Sequence, residues 1–136
     1  VGKLDHAAKS FKRAVEILPS YFEAHNKLGV TFIDLSQYEN AIEHLEWAVA
    51  YKFDFAEAHN NLGVANRKIG QTNNAAKNFE KAIKINQNYT LAYLNLGVTL
   101  TELGQKDKAV KCFKKAISID PDNPLAHEKL EELNSN

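Results

Sequence analysis

Residues 56–89 read AEAHNNLGVANRKIGQTNNAAKNFEKAIKINQNY, and the spacing of apolar and small residues in this stretch decides the fold. Ala58, Leu62 and Ile69 fall on one helical face, and Ala75, Phe79 and Ala82 fall on another. The first run is spaced by four and seven and the second by four and three, the intervals that mark an amphipathic helix. Between them, Ile69-Gly70-Gln71-Thr72 supplies a stop, because a glycine after the last apolar residue can take the left-handed conformation that ends a helix. The stretch therefore reads as one helical hairpin.

Working outward, the same stretch recurs at a period of 34 residues: Gly29, Gly63 and Gly97 share it, as do Ala7, Ala41, Ala75 and Ala109, and Ala14, Ala48, Ala82 and Ala116. Further columns keep the register: Ala24, Ala58, Ala92 and Ala126; Leu28, Leu62, Leu96 and Leu130; Phe11, Leu45, Phe79 and Phe113. A fixed period of this size dictates architecture before any motif is considered. The second glycine column is Gly2, Gly70 and Gly104, with Ser36 in the remaining place, so all six glycines are architectural and none is left for a phosphate-cradling loop. Gly29, Gly63 and Gly97 are expected to form notches in which two antiparallel helices approach closely. The periodicity predicts eight helices, over 5–18, 22–35, 39–51, 56–69, 73–86, 90–103, 107–119 and 124–133. Pro19 and Pro121 end two of the second helices, since proline cannot continue the ladder. One hairpin cannot bury both of its faces, so the units must stack into a quasi-one-dimensional array.

The pattern His25-x-x-Leu28-Gly29 followed by Ala41, Leu45 and Ala48 resembles the tetratricopeptide repeat. So do His59-x-x-Leu62-Gly63 with Ala75, Phe79 and Ala82, and Tyr93-x-x-Leu96-Gly97 with Ala109, Phe113, Ala116 and Pro121. The resemblance covers essentially the whole chain and implies an all-α fold, a right-handed superhelical solenoid of antiparallel helix hairpins. It divides a single domain, 1–136, into the second helix of a preceding repeat (1–21), three complete repeats (22–55, 56–89 and 90–123) and the first helix of a following repeat or a capping helix (124–136). The opening at Val1, without an initiator Met, reads as a piece cut from something longer. The chain departs from the family pattern where His replaces Trp or Tyr at 25, 59 and 127, and where Asn66 stands in a large apolar place.

Composition narrows the function. With 17 Lys plus Arg against 17 Asp plus Glu, the formal net charge is zero, which argues against a nucleic-acid binder that tracks phosphates. A single cysteine permits no internal disulfide and no Cys-rich zinc site, so a reducing, cytoplasmic setting is the default expectation. No apolar run approaches the roughly 20 residues that span a bilayer, so no membrane insertion is expected. The charge is banded: residues 22–55 hold six acids and two bases, and residues 56–89 hold two acids and five bases.

No catalytic constellation emerges, and the expectation is a protein that is not an enzyme, with no cofactor and no metal. His25, His59 and His127 share a column with Tyr93, which points to packing, and Cys112 shares one with Ser10, His44 and Asn78, which points to a tolerant, exposed place. A nucleophile needs a base held by a third group, and none accompanies Cys112. In a stacked array the first helices line the concave side, so the candidate peptide-binding groove comprises Asn26, Lys27, Val30, Asn60, Asn61, Val64, Arg67, Leu91, Leu94, Asn95 and Val98. Asparagine can meet a peptide backbone as donor and acceptor, while the valine and leucine columns receive side chains. Removal of Asn61 and Asn95 is expected to weaken a ligand and to leave stability nearly unchanged.

Some family members clamp a terminal carboxylate with Lys, Asn and Arg. Those places here read Asn26, Val30, Asn61, Leu91 and Asn95, of which only Asn61 matches. Trp47 and Tyr51 form a possible second surface on a second helix, with the alternative that they cluster over the turn with Phe53 and Phe55. The function expected from the resemblance is a non-enzymatic protein-protein interaction scaffold that binds a partner's peptide segment. The alternatives are the substrate-recruiting arm of a larger enzyme, such as a glycosyltransferase, and self-association through the terminal repeats.

Overall fold

The structure, a computed structural model, describes residues 2–136. Its eight helices are α1 (Gly2–Ile17), α2 (Phe22–Asp34), α3 (Tyr38–Tyr51), α4 (Ala56–Lys68), α5 (Thr72–Ile85), α6 (Thr90–Glu102), α7 (Lys106–Ile119) and α8 (Pro124–Ser135). Their ends lie within one residue of the sequence reading, except that α1 already begins at Gly2 and α8 runs on to Ser135. Among the described residues there is no strand, and no helix is long and apolar enough to cross a membrane.

The three interior stops share one hydrogen-bond pattern. Gln37 N–H donates to the Phe32 carbonyl while Ser36 N–H donates to Ile33, and the pair recurs as Gln71 to Asn66 with Gly70 to Arg67, and as Gln105 to Leu100 with Gly104 to Thr101. This Schellman arrangement needs a left-handed residue after the helix. Gly70 and Gly104 supply it with φ of 82° and 73°, and Ser36 adopts it at 58° despite its side chain.

The glycines of the first helices make the predicted notches. A Cβ placed on Gly63 would lie 2.6 Å from Phe79 Cε1, and one on Gly97 would lie 2.7 Å from Phe113 Cε1. At Gly29 the same place is taken by the Leu45 side chain. Each repeat thus drives a large side chain of its second helix into the backbone of its first, and Leu45, Phe79 and Phe113 are all buried. Small residues at Ala41, Ala75 and Ala109, each fully buried, let the helices close around them.

Stacking sets the curvature. Each second helix packs on the first helix of the next repeat, and the first helices also touch one another across repeats, α2 on α4, α4 on α6 and α6 on α8. The second helices α3, α5 and α7 do not touch each other. The array therefore bends with the first helices on its inner side, which is the side the candidate groove was read onto. Two apolar clusters run through it, one around Leu28, Phe32, Leu45 and Leu62 and one around Phe79, Leu96, Leu100 and Phe113.

Candidate functional site

The inner face is stitched from repeat to repeat by side chains 35 residues apart. The Asn61 amide donates to Asn26 Oδ1 at 3.0 Å, the Asn95 amide donates to Asn60 Oδ1 at 3.0 Å, and Arg67 Nε donates to both Glu102 oxygens at 3.1 and 3.0 Å. The Asn26 amide continues the chain to Glu57 Oε1 at 3.0 Å. The offset of one residue beyond the repeat length follows from the superhelical twist, which brings each position opposite the neighbour of its own equivalent.

This stitching sorts the groove residues. Asn26, Asn60 and Leu94 are buried, with Asn60 only 1% exposed, so they form the seam between first helices rather than an open surface. Val30, Asn61, Val64, Arg67, Asn95 and Val98 are half-buried along the groove, and Lys27 and Leu91 are exposed. Asn61 and Asn95 each commit their N–H to the seam, while among the described residues neither side-chain oxygen has a partner. Arg67 is committed to Glu102, so among the groove residues only Lys27 is a cation without an ion pair among the described residues. At the amino-terminal end, Phe11, Asn26, Lys27, Val30, Thr31 and Glu57 enclose a cleft of about 230 Å³.

The histidine column is a tether. His25 Nε2 lies 2.7 Å from the Pro19 carbonyl, His59 Nε2 lies 2.8 Å from that of Phe53, and His127 Nε2 lies 2.7 Å from that of Pro121. Tyr93 makes the same link, its hydroxyl donating to Gln87 at 3.3 Å. A carbonyl can only accept, so each Nε2 carries the proton and, in the neutral ring, each Nδ1 is an acceptor. The ring thus fixes the loop six residues upstream, which is why His can stand in for Tyr.

On the outer side, Trp47 and Tyr51 stack with ring centroids 5.6 Å apart, and Tyr51 stacks on His25 at 6.0 Å. His44 continues the stack between His25 and Phe32, its Nδ1 lying 3.2 Å from His25 Nδ1. Burial, with His25 second, holds the His44 pKa below its usual value. Trp47 and Tyr51 are 48% and 44% exposed, so the pair is packed beneath and open above. The expected cluster over the turn does not include Phe53, which is 81% exposed, and Phe55 instead meets Phe22 edge-on at 5.5 Å.

Comparison with known proteins settles the relationship. The Tetratricopeptide repeat profile matches residues 56–89 and 90–123, and a second profile described as TPR repeat matches residues 31–70. A crystal structure of MamA is 32% identical, with a TM-score of 0.93 over 98% of this chain and 78% of that one. This chain belongs to the tetratricopeptide repeat (TPR) family. The second TPR domain of human RPAP3, solved in complex with the HSP70 peptide SGPTIEEVD, is similar at 26% identity and a TM-score of 0.79, over 82% of this chain and 93% of that one. The Arabidopsis OM64 TPR domain shares the fold at 21% identity and a TM-score of 0.82, over 84% of this chain and 94% of that one. No curated protein matches the chain.

Two features set this TPR array apart. Asn66 occupies the place of Phe32 and Leu100, and it floors a cleft of about 510 Å³ between α3 and α5. It is 6% exposed, with its amide turned to the cleft. Cys112 is not the exposed thiol its column suggested. It packs half-buried against the second apolar cluster, and burial pushes its pKa up to about 11, so the thiol is protonated and inert at neutral pH. His44 and Asn78 are half-buried as well, so the polar residues of this column mark a partly covered place that tolerates them and not an exposed one.

Proposed function

We propose that the inner face binds an extended peptide segment of a partner protein, and that the chain acts as a non-enzymatic interaction scaffold. The observation that carries this reading is the strip formed by Val30, Val64 and Val98 beside Asn61 and Asn95, half-open and running across three repeats on one face. The valines receive side chains, and the two uncommitted amide oxygens accept from peptide N–H groups whatever the bound sequence. Leu91, 51% exposed, extends the apolar strip on α6. The similarity to the RPAP3 domain bound to an HSP70 peptide supports a peptide as the ligand class.

The peptide is held differently from a clamped carboxylate terminus. Of the five clamp places only Asn61 carries a matching group, and Arg67 on α4 is paired with Glu102. Binding mainly through neutral and apolar groups, with Lys27 the one unpaired groove cation among the described residues, makes affinity modest. Head-to-tail self-association is disfavoured, because α8 would have to receive a second helix where Glu131 fills the column of Gly29, Gly63 and Gly97.

Selection of peptides from a displayed library, followed by calorimetric titration, tests the proposal. A selected peptide should bind the parent chain and lose at least tenfold in affinity to Leu91→Glu with Val98→Glu. Equal affinity for both would refute the groove.

A further inference from the structure

The first two complete repeats differ at one place on the outer side. In the first, His25 is covered by Tyr51, stacked at 6.0 Å, and by Trp47 at 6.5 Å, and its Nδ1 is met by His44. One period later Lys81 replaces Trp47, Ile85 replaces Tyr51 and Asn78 replaces His44. The aromatic pair is absent, although His59 stays as buried as His25, and Phe53, His59, Lys81, Lys84 and Ile85 line a cleft of about 520 Å³. His59 keeps its tether to the Phe53 carbonyl, but its Nδ1 is buried without a partner, on a residue only 7% exposed. Phe53 and Ile85 stand 81% and 40% exposed at the rim.

We infer that this cleft is a second binding site, which takes a Trp or Tyr side chain of a partner protein flanked by acidic residues. The first repeat supplies the reasoning within the same molecule: an indole and a phenol cover the histidine there, and the second repeat lacks both. An incoming aromatic ring packs against the His59 side of the cleft and covers Phe53 and Ile85. Lys81 and Lys84 sit on the last turns of α5 with no ion pair among the described residues, so they are free to meet carboxylates beside the ring. The surrounding repeat, with five bases against two acids over 56–89, favours an acidic segment over a basic one. This site lies outside the inner groove and does not depend on it.

The test is a ¹⁵N-resolved NMR titration of the chain with acetyl-Glu-Trp-Glu-amide, with acetyl-Glu-Leu-Glu-amide and acetyl-Lys-Trp-Lys-amide as comparators. The acidic Trp peptide should perturb Phe53, His59 and Ile85 and bind at least fivefold more tightly than either comparator. Lys81→Trp with Ile85→Tyr, which transplants the cover of the first repeat, should weaken it about tenfold. Lys84→Glu, an exposed change that leaves the helices intact, should abolish the preference for acidic flanks even if the double variant misfolds. Equal binding of the three peptides, perturbations centred on Trp47 or on the inner face, or unchanged binding by Lys84→Glu would overturn the inference.

Discussion

Asn95 donates its amide N–H to Asn60 Oδ1 at 3.0 Å, across the boundary between the second and third complete repeats. Asn60 is 1% exposed, so this bond is made in the seam and not in solvent. A groove residue that also joins two repeats couples the binding surface to the stability of the array.

Replacing Asn61 and Asn95 together by Ala should therefore destabilise the chain, where the sequence alone led to the expectation of nearly unchanged stability. Each lost bond costs about 0.5–1.5 kcal/mol, and the buried oxygen left behind on Asn60 places the second loss toward the upper end. Urea melts of the two single variants and the double variant measure it.

Gly63→Ala is expected to cost about 1–3 kcal/mol by overpacking, because the added Cβ would lie 2.6 Å from Phe79 Cε1. Pairing it with Phe79→Leu should not recover the loss, because a Cβ on Gly29 would meet the Leu45 side chain just as closely. A denaturation midpoint unmoved by Gly63→Ala would mean the notch is not closed.

Asn66→Leu should stabilise the array slightly, by less than about 1 kcal/mol, since the amide faces the open cleft and the change mainly adds apolar contact of the kind made by Leu100. The thermal midpoint reports the gain.

The eight helices were legible in sequence because the 34-residue period repeats the same core and stop residues in every unit. The seam was not. A column shows which residues are equivalent, whereas contact is made at 35, as in Asn26 with Asn61 and Arg67 with Glu102. Burial of Asn26, Asn60 and Leu94 follows from that twist, which no single period contains. The His column was legible as packing, but its hydrogen bond to a carbonyl six residues upstream depends on the loop geometry.

Stability should fall as the pH drops below about 6.5. The folded-state pKa of His44 is depressed below that value, first by burial and then by His25, with Lys12 adding to the depression and Glu43 opposing it. The unfolded chain then binds the proton more readily, so the stability present above the unfolded pKa is lost as the pH falls through the folded one. Urea melts between pH 7.5 and 5 should show a shallower dependence for His44→Asn, the residue type at position 78, than for the parent. Equal slopes would remove His44 from the account.

The central claim is that the inner face receives the peptide, and the most direct measurement is NMR mapping of the bound library-selected peptide on the ¹⁵N,¹³C-labelled chain. Intermolecular contacts should fall on the methyl groups of Val30, Val64, Val98 and Leu91. Contacts confined to Trp47 and Tyr51, with those four residues unperturbed, would contradict it.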